Sequence, residues 1–241
     1  MHASVLDDAR LLDTWDRAAT LERPWRELVV LAGASGQPVD DLARLSIGAR
    51  DRLLLGLRIA TFGSRLDCET TCLVCGTRLE LSLDARDLVV PPRDVGPSEL
   101  EVSDDEWTVR FRLPDSTDIA ACIGATATAD VLAERCLAAT SGEQPVAISA
   151  LPPRVRDRVT ARMAELDGQA DVVLDLECAA CSHGWQAPFD PAAFLLREVD
   201  SYAARLTIEV HQLARAYGWS EESILAMGPA RRRRYLSLVL Q

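Results

Sequence analysis

Four cysteines set the chemistry that this sequence offers. Cys72-Leu73-Val74-Cys75 is followed by Gly76, and Cys178-Ala179-Ala180-Cys181 repeats the spacing, with 102 residues between Cys75 and Cys178. A strand-like run follows each pair, Arg78 to Leu83 after the first and Gly184 to Phe189 after the second. Thiolates two residues apart can take two corners of a tetrahedron, so two such pairs offer the four-sulfur set that structural zinc prefers. The glycine after Cys75 eases the tight turn of a metal knuckle. Zinc shared by Cys72, Cys75, Cys178 and Cys181 would close a long loop and staple the middle of the chain. Buried unligated thiols are the competing reading, and two pairs in matching contexts argue against it. A redox dithiol is disfavoured because neither pair opens a helix in a strand-helix-strand unit. Four sulfurs leave no open position for water, which disfavours a catalytic metal. Cys68 and His183 lie close enough in sequence to compete as ligands. Cys122 and Cys136 fall in helical patterns and read as core thiols.

Beyond these pairs no catalytic constellation emerges, so the chain is expected not to be an enzyme. Three histidines are present: His2, His183 and His211. His211 lies beside the apolar stripe of a long helix, where a partly packed role is favoured over a general base. Trp15 and Trp25 read as core or interface aromatics. Arg231 to Arg234 fall in the first turn of a final helix, where positive charge opposes the helix dipole. A solvated basic face is the plain reading; docking of an acidic partner or of nucleic acid is the sharper one.

Composition narrows the classes. The chain has 241 residues, 26 basic against 37 acidic and a net charge of −11, and every basic residue is arginine. Broad nucleic-acid binding needs a basic footprint that this balance lacks. A zinc-ribbon nucleic-acid or transcription module using the arginine cluster therefore remains the alternative to a protein-binding role. No apolar run reaches the length of a membrane span, and the first residues lack a basic-then-apolar signal, so a cytoplasmic protein is expected. In a reducing compartment seven cysteines read as ligands or buried thiols rather than disulfides.

The elements that must position the cysteines follow from periodicity. Three- and four-residue spacing predicts helices over residues 5–21, 24–31 (stopped at Gly33) and 49–61 (capped by Gly63). Two-residue alternation predicts strands at Leu79–Leu83, at 100–113 with a turn at Asp104-Asp105, and at 171–177. Pro91-Pro92 and Gly96-Pro97 mark a boundary. Helices are expected from Asp115 or Ser116 to Ile123, over 130–139, and over 152–166. Asp190 and Pro191 read as N-cap and first residue of a long helix ending at Gly218. Ser220 caps a short one, and Gly228-Pro229 breaks before the last. The fold class is α+β: a split zinc ribbon carrying a strand-and-helix insertion between terminal helices. The expected regions are a helical 1–66, the ribbon over 67–90 and 170–190, the insertion over 91–169, and a helical 191–241.

A family resemblance is carried by Leu11-Leu12-x-x-Trp15-Asp16, Ile47-Gly48-Ala49-Arg50-Asp51, Leu57-Arg58, Phe62-Gly63 and Cys72-x-x-Cys75-Gly76. It continues in Tyr202-Ala203-x-Arg205-Leu206, Glu209-Val210-His211, Tyr217-Gly218-Trp219-Ser220-Glu221 and Arg231-Arg232-x-x-Tyr235-Leu236. These resemble the baseplate hub assembly chaperones of contractile-tailed (T-even type) phages and phage-tail-like contractile injection systems. Residues 87–170 are less distinctive. Leu73 stands where a proline is common, and Arg233-Arg234 extends the usual basic pair. The resemblance implies a non-enzymatic assembly factor that binds baseplate hub or wedge proteins. It makes Tyr202, Arg205, Glu209, His211, Tyr217, Trp219, Arg231, Arg232 and Tyr235 the partner-binding candidates.

Overall fold

A computed structural model describes residues 5–96 and 100–239; His2 and Pro97 lie outside them. Helices α1 (Asp8–Ala18), α2 (Trp25–Ser35), α3 (Val39–Ala43) and α4 (Ile47–Phe62) precede an antiparallel hairpin of β1 (Arg65–Thr71) and β2 (Arg78–Asp84). Strands β3 (Glu101–Asp104) and β4 (Trp107–Phe111) follow, then α5 (Ser116–Cys122), α6 (Thr128–Cys136), β5 (Leu137–Ser141), β6 (Gln144–Val146) and α7 (Pro153–Leu166). A second hairpin, β7 (Val173–Glu177) and β8 (Gly184–Pro188), leads into α8 (Pro191–Tyr217), α9 (Glu221–Leu225) and α10 (Pro229–Val239). The fold is α+β.

Two large cores and one small cluster hold the buried apolar residues. The larger joins both ends of the chain: Leu11 and Leu12 of α1, Leu28 and Leu31 of α2, Leu54 and Leu57 of α4, and Leu195, Val199 and Leu206 of α8. Each fully buried leucine contributes about 1.5–3 kcal/mol, so this body is the main source of stability. The smaller core lies in the inserted region, where β3-β4-β5-β6 form an antiparallel sheet and Val155 and Val159 of α7 pack on Val109 and Phe111. The Asp104-Asp105 turn forms as expected, with Asp105 left-handed at φ +52.

Three departures from the periodicity have physical causes. Gly33 does not stop α2, which runs to Ser35 and ends on left-handed Gly36. Its place is a helix crossing: a Cβ there would stand 2.4 Å from Thr14 Oγ1. Residues 137–139 leave the helix because β5 pairs in register with β4, Phe111 opposite Leu137 and Trp107 opposite Ser141. Tertiary pairing overrides the helix propensity of Ala138 and Ala139. Strand β1 had no expectation at all; Leu66 is its single fully buried residue, so its alternation is faint.

Charged contacts tie these parts together. Arg58, buried on α4, makes a two-armed pair with Glu198 of α8 at 2.7 and 2.8 Å. Asp190 caps α8 through the Ala193 amide and also receives both arms of Arg23. At the end of the insertion, Asp167 accepts the Gly48 amide at 2.8 Å and the Ser46 hydroxyl at 2.9 Å, closing the first turn of α4.

Candidate metal centre

Both hairpins end in a cysteine knuckle, and the two knuckles are built alike. In the first, the Cys72 amide donates to Thr77 O at 2.9 Å and the Gly76 amide to Cys72 O at 3.0 Å. In the second, the Cys178 amide donates to His183 O at 2.9 Å and the Ser182 amide to Cys178 O at 2.8 Å. The turn closes through a left-handed residue in each, Gly76 at φ +72 and Ser182 at φ +55. Glycine takes that conformation freely; serine takes it at a cost, so the second turn is held by its surroundings.

The hairpins bring the knuckles face to face. Cys72 Sγ lies 3.7 Å from Cys181 Sγ, and Cys75 Sγ lies 3.6 Å from Cys178 Sγ. All four sulfurs fall within 4.8 Å of one another. Sulfurs at ~2.3 Å from one tetrahedral zinc would stand roughly 3.8 Å apart, so the spacing fits a four-thiolate ion. It is far beyond a disulfide bond of about 2.05 Å. The charge logic agrees. The Thr77 hydroxyl, 3.2 Å away, and the Thr77 amide pull the Cys75 thiol down to about 6. Cys181 goes the other way, to about 12: the His183 amide favours its thiolate, but the neighbouring sulfurs, Cys75 first, outweigh it. Four thiolates at this distance repel until a cation joins them.

Cys68 and His183 stay outside the cluster. Cys68 lies on β1 against the small apolar group of Leu55, Leu66 and Ala85, and the His183 ring stacks on Trp185 at 5.9 Å. Cys136 is buried in the inserted region, its thiol pushed up to about 11 by burial and the nearby Asp118 carboxylate. Cys122 is half-buried at the end of α5.

The candidate partner residues divide into two groups. Tyr202, Glu209 and Arg232 join an internal clamp, which corrects the reading of Arg232 as part of a basic surface. Arg232 is 1% exposed; Nη2 reaches Asp8 at 2.6 Å, Nε reaches Glu209 at 3.0 Å and Nη1 donates to Met227 O at 2.6 Å. The Tyr202 hydroxyl donates to Asp8 at 2.6 Å. The clamp thus fastens α10 to α8 and α1. The second group faces outward. Tyr217 stacks on Trp219 at 4.5 Å, and Tyr235 meets both rings edge-on at 5.7 and 4.9 Å. Arg231 lies over Tyr235, Arg205 lies over Tyr202, and Arg205, Arg231 and His211 are exposed. His211 therefore lies at the surface instead of packing.

One exposed feature carried no expectation. Leu73 and Val74, between the first two ligands, are 81% and 67% exposed. Among the described residues no helix is long and apolar enough to cross a membrane.

A helical body, an inserted sheet and two opposed cysteine hairpins define an α+β protein with a four-sulfur centre. The family model described as T4 bacteriophage base plate protein matches residues 31–195, which hold both cysteine pairs and the whole insertion. This chain belongs to that base plate family. No curated protein and no solved structure matches it. The matched stretch stops before Tyr202, so the outward arginines and aromatics of α8 and α10 fall beyond it.

Proposed function

We propose that the chain is a non-enzymatic assembly factor of a contractile, tail-like baseplate, acting as a hub assembly chaperone that binds hub or wedge proteins in the cytoplasm. The family match over residues 31–195 carries this reading. The cysteine cluster supports a structural ion in place of a reactive one, because four sulfurs fill a tetrahedron and leave no site for substrate. Zinc is the metal of choice for four soft thiolates at this spacing. Its role is to lock the two hairpins, as in a zinc ribbon split by an insertion, and the working surface belongs to the flanking helices.

Co-expression with the hub and wedge proteins of a contractile baseplate tests the function. A tagged chain is expected to retrieve a hub or wedge protein through size-exclusion chromatography. Retrieval of none, with tight and steeply salt-dependent DNA binding at physiological salt, would favour the nucleic-acid reading and sink this one.

A further inference from the structure

Arginines without a carboxylate partner are concentrated at the C-terminal end, although Arg10, Arg44, Arg52, Arg156 and Arg197 also make no ion pair among the described residues. Arg205 and Arg215 on α8 and Arg231, Arg233 and Arg234 on α10 make no ion pair among the described residues, in a chain with 37 acidic side chains. Arg23, Arg50, Arg58, Arg112, Arg135 and Arg154, by contrast, all contact acids. In a protein of net charge −11, unpaired guanidiniums gathered at one end form a local field of opposite sign.

Two of them share a groove. Arg205 and Arg233 line a cavity of about 230 Å³ between α8 and α10, together with Leu206, Pro229 and Arg232. The Arg232 nitrogens are already engaged by Asp8, Glu209 and Met227 O. Three guanidiniums therefore face two carboxylates, and the positive end of α10 adds to the excess. Arg205 is held over the Tyr202 ring, which fixes its fork without using its hydrogen-bond donors. One helical turn along α8, Ile208 is 57% exposed. A fork-shaped cation beside an exposed aliphatic side chain suits a carboxylate with an apolar neighbour.

We propose that the groove between α8 and α10 binds a carboxylate-bearing amphipathic segment of a partner protein, with Arg205 and Arg233 as the anion-binding pair. This rests on the assembly reading above and gives its partner a chemistry. The size of the groove favours one or two side chains over a nucleic-acid backbone, which spreads its charge along an extended track.

Fluorescence anisotropy on the full chain tests the assignment with three probes: a peptide alternating glutamate and leucine, its glutamine-leucine counterpart, and an oligothymidylate of equal charge. The glutamate peptide is expected to bind, the glutamine peptide not to. The double variant Arg205→Ala/Arg233→Ala, both sites exposed, is expected to weaken the glutamate peptide about tenfold or more. Equal binding by the variant, preference for oligothymidylate, or self-association of the chain that the variant abolishes would each overturn the assignment. Retrieval of co-expressed baseplate proteins separates the two readings. If the variant retrieves them as well as the parent does, the groove assignment fails and the assembly reading stands. If the parent binds the glutamate peptide yet retrieves no baseplate protein, the assembly reading fails and the groove stands.

Discussion

Cys75 Sγ and Cys178 Sγ stand 3.6 Å apart although 103 positions separate them in the chain. Cys72 and Cys181 repeat the relationship at 3.7 Å, so each knuckle supplies one partner to both contacts. An ion at this centre would hold two hairpins that, among the described residues, have no strand pairing with each other, since β1-β2 and β7-β8 are separate sheets. Both hairpins reach one small apolar cluster, in which Leu66 of β1 meets Leu55 of α4 and Phe189, just after β8, lies 5.9 Å from Phe194 of α8.

Cys72→Ser and Cys178→Ser are expected to be equivalent. Each removes one ligand of a shared centre, so each lowers metal content and shifts thermal unfolding to the same degree. An ion present at about a thousandfold over its Kd contributes roughly 4 kcal/mol to the folded state. Metal analysis and calorimetry on the two variants check this; loss of metal from one variant alone would divide the pairs into separate sites.

The left-handed position is glycine in one knuckle and serine in the other, which gives a paired test. Gly76→Ala meets no atom within 4 Å, so its cost is backbone strain at φ +72, about 1 kcal/mol. Ser182→Gly relieves the same strain at φ +55 and is expected to stabilise by about 0.5 kcal/mol after the entropy cost of glycine. Chemical denaturation of the metal-loaded protein reads both, and the signs should be opposite.

Gly48→Ala is expected to be worse than either knuckle change. A Cβ at position 48 would come within 2.2 Å of Asp167 Oδ1 and 2.9 Å of the Ala170 amide. Overpacking at a buried polar contact costs about 2–3 kcal/mol, and the insertion should loosen from α4. Hydrogen exchange at the Gly48 amide, held by Asp167, reports the loosening directly.

Arg232→Ala leaves Asp8 and Glu209 without their shared cation and is expected to destabilise the protein by about 3–5 kcal/mol, with faster exchange in α10. Exposed Arg233→Ala should stay within about 0.5 kcal/mol. Similar losses for the two would remove the distinction between clamp and surface.

Asp51 makes stability pH-dependent. It lies 95% buried beside Arg50, and burial pushes its carboxyl up to about 6 despite that neighbour. A raised carboxyl means the folded state holds a proton that the unfolded state, near about 3.9, has released. This group's contribution is full below the unfolded value and is lost as pH rises through about 6, a change of roughly 3 kcal/mol. Asp51→Asn should flatten stability between about pH 4 and 6. An unchanged slope in that window would assign the dependence elsewhere.

The sequence made the site legible and left its frame partly hidden. The spacing Cys-x-x-Cys and the strands after each pair were enough to place the four sulfurs, because knuckle geometry is local. Asp190, Ser220 and Gly218 marked helix ends for the same reason. Arg232 could not be told from Arg231, Arg233 and Arg234, since its burial depends on Asp8, from the far end of the chain. Gly33 read as a stop because nothing local signals Thr14 across a helix crossing. Ala138 and Ala139 read as helix because their strand partner, β4, lies some thirty residues back. Features set by long-range pairing were the ones that periodicity missed.

The shared four-sulfur centre is the claim on which the rest depends, and X-ray absorption on the purified, metal-loaded chain measures it most directly. One zinc per chain with four sulfur neighbours at about 2.3 Å is the expected result. A shell of two sulfurs completed by nitrogen or oxygen would contradict it, leaving the knuckles unjoined and a coordination position open to other chemistry.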